Sequence, residues 1–147
     1  MHRLWEPLAD KQRPPNGYAA KFSIPYCIAS GFMRGGVGLD AFADESVRDP
    51  RVTALAAKVR YEIDPNNPYP NEYTGHIRAV LRDGKIIEER QPHLRGGAHE
   101  PLERHDLEEK FALNTRHGGW NAKRIDAALG LARKLYDGAI DLKALGE

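Results

Sequence analysis

Two runs rich in aliphatic and β-branched residues, "HIRAVLR" and "KIIEERQ", flank the dipeptide Asp83-Gly84. An Asp-Gly pair between such runs is a strong local hairpin signal, because both residues accept the backbone of a tight turn. The sequence therefore predicts an antiparallel hairpin over about residues 76–90. In its first arm Ile77, Ala79 and Leu81 alternate with His76, Arg78, Val80 and Arg82, which predicts one buried face. The rest of the patterned sequence is largely helical. Helices grouped around one antiparallel hairpin favour an α+β fold, a small sheet packed with several helices, over a parallel α/β sheet.

Before the hairpin, "HRLWEPL" (residues 2–8) reads as a short strand confined to an edge or ended by Pro7. "DKQRPPNGY" reads as a loop, with Pro14-Pro15 and Asn16-Gly17 as breakers. A helix is predicted from Ser23 to about Arg34, with Ser23 as N-cap, Pro25 in the first turn and Gly35-Gly36 as the stop. A helical turn and a further helix follow, the latter opened by Asp49 as N-cap and Pro50 as first residue. Val52, Leu55, Ala56 and Val59 share one face of it. "RYEID" (60–64) is strand-like. After the hairpin a helix begins near Arg104–His105, and a last amphipathic helix carries Ile125, Leu129, Ala132 and Leu135 along its apolar stripe, stopping near Gly138.

At 147 residues the chain suits a single domain with a real core. Lys+Arg total 22 and Asp+Glu 21, so nothing in the charge favours nucleic acid or an anionic membrane as partner. No apolar run approaches the ~20 residues that span a bilayer, and "MHRLWEPLADK" lacks the basic and apolar regions of a secretory signal. The single cysteine, Cys27, excludes an internal disulfide and agrees with a cytoplasmic location.

Candidate chemistry is sparse. His93, His99 and His105 lie six apart through a loop rich in glycine and proline, no His-x-x-x-His pair places two rings on one helical face, and no thiolate set exists. The histidines therefore read as surface or loop residues, and no metal is expected. "GFMRGGVGLD" lacks a Gly-Lys-Ser/Thr signature and follows a helix, so its glycines read as a helix terminator rather than a nucleotide loop. Cys27 lies near a helix start and Lys21, which would activate a thiol, but its apolar neighbours favour a small buried side chain. Asp106, Glu108 and Glu109 favour the macrodipole at a helix beginning.

One stretch, "AAKFSIPYCIASGFMRGG" (19–36), has surplus polarity. A helix N-terminus there would offer N–H groups to a carboxylate, Lys21 would add a cation, and Tyr26 a hydroxyl able to donate a proton. The alternative is a well-capped helix with Tyr26 in the core and Lys21 in solvent. The residues alone favour that alternative.

The same stretch resembles a segment of the MmgE/PrpD family, the group of 2-methylcitrate dehydratases, cis-aconitate decarboxylases and iminodisuccinate epimerases. The likeness continues through "VRDPRVTALAAKV", "HIRAVLRDGKIIEER", "LRGGAHEPLERHDLEEKF" and the closing helix. The motifs K-F-S-x-P-Y, D-P-x-V-x-x-L-A and D-L-x-x-K-F make it specific in combination. The resemblance implies the smaller, lid-like α+β C-terminal domain of such an enzyme, without the large all-helical domain that carries catalytic histidines and acidic residues. Met1 falls at an internal point of the family pattern, which implies an excised domain, a truncated gene product or a split-gene partner.

What the resemblance assigns is limited to two positions. Tyr26 corresponds to a tyrosine that lines the active site in related decarboxylases, and Lys21 to a basic position suited to a substrate carboxylate. The implied parent is a 2-methylcitrate dehydratase-like lyase of propionate catabolism, cofactor-independent, acting on a tricarboxylic acid. One cysteine cannot hold an iron–sulfur cluster, which agrees. The partners implied are that small substrate, the all-helical domain and a second copy in a homodimer, with no nucleic acid and no membrane. A cis-aconitate decarboxylase- or iminodisuccinate epimerase-like parent, or a non-catalytic binding domain, are the alternatives. The isolated chain is expected to be inactive.

Overall fold

The computed structural model describes residues 2–136. The fold is α+β, with a two-stranded antiparallel sheet and helices on both sides of it in sequence. The described residues divide into two compact units: 2–62 together with 111–136, and Ile63–Lys110.

The first unit opens with two short helices, α1 (His2–Trp5) and α2 (Leu8–Gln12), then α3 (Gly17–Ala20). These correct the expected strand over residues 2–8 and the expected loop after it. The ring of Trp5 lies 5.1 Å from that of Tyr61, and the Tyr61 hydroxyl donates to Glu6, so distant contacts rather than a neighbouring strand hold this segment. The same contacts explain why residues 60–64 form no strand. Asn16, expected as a turn residue, caps α3 instead by accepting from Ala19 N–H at 2.9 Å.

Helix α4 (Ile24–Arg34) is bounded as its sequence predicts. The Ser23 hydroxyl accepts from Tyr26 N–H at 3.0 Å and donates to the Lys11 carbonyl. Gly35 ends the helix at φ 76°, a left-handed conformation that glycine adopts without steric cost. A 3₁₀ turn (Leu39–Phe42), α5 (Asp44–Val47) and α6 (Pro50–Ala56) follow. Asp49 caps α6 and Pro50 opens it. Helix α4 packs against α6, and α2 packs against α4. The core joins Ala20, Tyr26, Ala29, Val47, Val52 and Ala56, with Phe42 and Leu55 against it. Its small residues let helices approach closely.

In the second unit β1 (Gly75–Val80) pairs with β2 (Ile86–Gln91) in the register Ile77↔Glu89, Ala79↔Ile87, Val80↔Ile86. Leu81 N–H donates to Lys85 O at 2.8 Å and Gly84 N–H to Leu81 O at 3.0 Å. With Gly84 at φ 83°, the connection is a three-residue turn with a left-handed glycine rather than a two-residue one. The expected buried face is not buried: Ile77 is 39% exposed and Ile87 51%. The opposite face carries charge, with His76 Nε2 2.5 Å from Glu88 and Arg90 3.0 Å from the same carboxylate.

Helix α7 (Arg104–His117) starts where expected. Asp106, in its first turn, accepts from Glu103 N–H at 3.0 Å and from Arg95 at 2.8 Å, so it serves as a structural cap. In α8 (Ala122–Tyr136) Ile125 is buried and Leu129 half-buried, while Ala132 and Leu135 are exposed. The expected stripe is thus covered only at its start, and its expected stop near Gly138 lies outside the described residues. Among the described residues no helix is long and apolar enough to cross a membrane.

Candidate functional site

Tyr26 lies in the first turn of α4 and is fully buried. Its ring sits 6.3 Å from that of Phe42, and its hydroxyl donates to the Ala41 carbonyl of the 3₁₀ turn. Burial pushes the phenol's pKa up, against smaller opposing effects of the Arg34 charge and the Ser30 hydroxyl. Ser30 is itself fully buried, and its oxygen makes no hydrogen bond of ordinary geometry. It therefore influences Tyr26 by proximity rather than as an aligned partner.

The N-terminus of α4 offers little to an anion. Tyr26 N–H is taken by the Ser23 hydroxyl, Cys27 N–H by the Ser23 carbonyl at 3.0 Å, and Pro25 has no N–H. Cys27 is half-buried, and burial pushes its pKa up, which disfavours the thiolate.

Lys21 occupies a different setting. It ends α3, is exposed, and places its Nζ 5.9 Å from the centre of the Phe42 ring, within cation–π range. Here the surface forms a shallow, open recess of about 460 Å³, lined by Asn16, Gly17, Tyr18, Lys21, Leu39, Phe42, Ala43, Asp44 and His117. Gly17 is essential to its floor, because a β-carbon at that position would meet the Phe42 carbonyl. His117, at the end of α7, holds Nδ1 2.6 Å from Asp40 Oδ1. A carboxylate on Nδ1 orients the ring. Asp44 in turn lies 3.6 Å from Arg48.

Lys21 and Tyr26 are therefore not brought together on one open surface. The ammonium lines the recess, and the phenol lies in the core beneath Ala41. The two meet through the Leu39–Phe42 turn, which contributes Phe42 to Lys21 and Ala41 to Tyr26. Sequence reasoning set aside His117 with the other histidines. Its partner Asp40 is 77 residues away, and no spacing rule links them. Among the described residues no group of three His, Cys, Asp or Glu side chains could hold a metal ion; His93 and His99 stack at 5.0 Å, with His93 3.7 Å from Glu72.

Residues 2–135 match the MmgE/PrpD C-terminal domain. The chain belongs to the MmgE/PrpD family. It is 28% identical to human cis-aconitate decarboxylase over 126 residues, which are 84% of this chain and 26% of that protein. It is 31% identical to the mouse cis-aconitate decarboxylase over 103 residues, 69% of this chain and 21% of that one. A mitochondrial 2-methylcitrate dehydratase from Yarrowia lipolytica is 28% identical over 118 residues, 74% of this chain and 23% of the relative. The chain thus spans about a quarter of the length of the curated relatives it matches. As an MmgE/PrpD C-terminal domain it carries part of what those longer proteins contain.

Proposed function

We propose that this chain supplies one wall of the active site of a lyase acting on a tricarboxylic acid. The match to the MmgE/PrpD C-terminal domain across residues 2–135 carries the reading. The relatives' names specify cis-aconitate and 2-methylcitrate, both tricarboxylates. The proposed parent is a 2-methylcitrate dehydratase-like enzyme of propionate catabolism, cytoplasmic and homodimeric, whose all-helical domain supplies the base.

Dehydration removes a proton next to a carboxylate and expels hydroxide, which must be protonated as it leaves. Decarboxylation expels carbon dioxide and must protonate the carbanion that remains. A phenol hydroxyl can serve as the acid in either step, the proposed role of Tyr26. An ammonium beside the substrate carboxylate orients it and stabilises the negative charge that develops next to it, the proposed role of Lys21. A decarboxylase-like parent is the second reading, favoured by the 31% identity to the mouse enzyme of that name.

The test is a panel of 2-methylcitrate, cis-aconitate and iminodisuccinate, run on the chain alone and on the chain joined to an all-helical MmgE/PrpD domain. Turnover is expected only for the joined protein, with dehydration of 2-methylcitrate fastest. Fast dehydration by the isolated chain would overturn the assignment of one wall. No turnover of any tricarboxylate by the joined protein would overturn the assignment as a lyase.

A further inference from the structure

The Leu39–Phe42 turn does two jobs. Its Ala41 carbonyl accepts the Tyr26 hydroxyl, while Leu39 and Phe42 line the recess beside Lys21. It therefore covers the phenol on one side and walls the recess on another.

Besides its own backbone bonds and the packing of Phe42 on Gly17, the turn is held by two side chains. Its backbone supplies Ala41 N–H to Gly38 O at 3.1 Å and Ala43 N–H to Asp40 O at 3.3 Å, few bonds for a segment of this length. The Ser46 hydroxyl donates to the Asp40 carbonyl at 2.7 Å, and His117 pairs with the Asp40 carboxylate at 2.6 Å. The chain leading in contains Gly35, Gly36 and Gly38, each with open space where a β-carbon would stand. Rotation there meets little steric resistance. Ala41 itself is buried, and the Asp40 and His117 side chains are 85% and 48% exposed. An exposed pair shifts an equilibrium by at most roughly fivefold. Such a contact can hold a turn in place and still release it.

We propose that Asp40 and His117 are positioning residues for Tyr26: their pair holds the Leu39–Phe42 turn over the phenol, and its release opens that hydroxyl to the recess beside Lys21. The proposal rests on the reading of Tyr26 as a proton donor, and it explains how a buried phenol reaches a substrate.

The experiment is nitration of the whole chain by tetranitromethane, with the rate at each tyrosine resolved by mass spectrometry. In the unaltered protein Tyr26 reacts far more slowly than Tyr18, which is 74% exposed. His117→Ala and Asp40→Ala each raise the Tyr26 rate by about two- to fivefold, the range open to an exposed pair, and leave Tyr18 and Tyr73 unchanged. Combining the two adds nothing further. His117→Gln, which keeps a donor facing Asp40, returns the Tyr26 rate toward that of the unaltered protein. An unmoved Tyr26 rate overturns the proposal. So does a parallel rise at every tyrosine, because the pair would then merely support the fold. No substrate or turnover enters the readout, so its failure is separable from failure of the lyase assignment.

Discussion

Gly17 and Phe42 approach so closely that a β-carbon on Gly17 would overlap the Phe42 carbonyl oxygen. Backbone stands on the far side of that contact, so no flexible side chain can yield. Gly17→Ala must push α3 away from the 3₁₀ turn that covers Tyr26. The expected cost is about 1–3 kcal/mol or more, the range for overpacking a close-packed contact. A lower urea midpoint with unchanged slope would show it; an unchanged midpoint would refute the contact.

Gly130 presents the opposite case. It lies inside α8, and nothing stands within 4 Å of the position of its missing β-carbon. Gly130→Ala should therefore raise stability by about 0.5–1 kcal/mol, through helix propensity alone. Thermal melts of the two alanine variants, run side by side, should move in opposite directions.

The contrast between the two glycines shows what the sequence reveals and what it hides. The bounds of α4 were legible because their causes are local: a serine three residues before the N–H it caps, and a glycine at the left-handed stop. The hairpin was legible for the same reason. The segment 2–8 and the segment 60–64 were misread as strands, because Trp5, Glu6 and Tyr61 settle each other across 55 residues. Asn16-Gly17 reads as a breaker, and that Asn16 caps α3 shows only in the fold, where Gly17 packs against Phe42. The alternation of Ile77, Ala79 and Leu81 predicts a buried face, and the structure leaves Ile77 and Ile87 exposed, because periodicity records a face's character and not whether this chain covers it. For the candidate site, Lys21 and Tyr26 stood in one motif, whereas Asp40 and His117 became partners only through the fold.

Tyr26→Phe keeps the ring that fills the core and removes the hydroxyl. The Ala41 carbonyl is then left buried without its donor. A loss of about 1–2 kcal/mol is expected, from the missing bond and the unsatisfied acceptor. Equilibrium unfolding measures it, and a variant as stable as the parent would mean that the Ala41 bond contributes nothing.

Asp49 predicts a pH dependence. Its side chain bonds Arg51 and accepts Arg51 N–H, and with Arg34 4.0 Å away these hold its pKa down, to about 2 from a reference of 3.8. A depressed carboxylate contributes stability above its unfolded pKa and loses it as pH falls through the folded one. The contribution should thus be complete above about pH 4 and fade toward about pH 2. Asparagine also caps helices well, so Asp49→Asn isolates the charge. The stability gap between the two proteins should be constant near neutrality and close over that acid window, and a gap independent of pH would show that the ion pairs do not contribute.

Lys21 offers the test closest to catalysis. It is exposed and ends α3, so Lys21→Ala should change the stability of the chain by no more than about 0.5 kcal/mol. In the chain joined to an all-helical MmgE/PrpD domain, the role proposed for Lys21 makes the same change remove a charged donor from a substrate carboxylate. Bonds to charged groups are worth about 1.5–3 kcal/mol, so kcat/KM should fall by roughly 10- to 100-fold. Lys21→Arg, which keeps the charge, should recover part of that loss. A Lys21→Ala enzyme with undiminished kcat/KM would remove Lys21 from the site and leave Tyr26 as the proposed residue there.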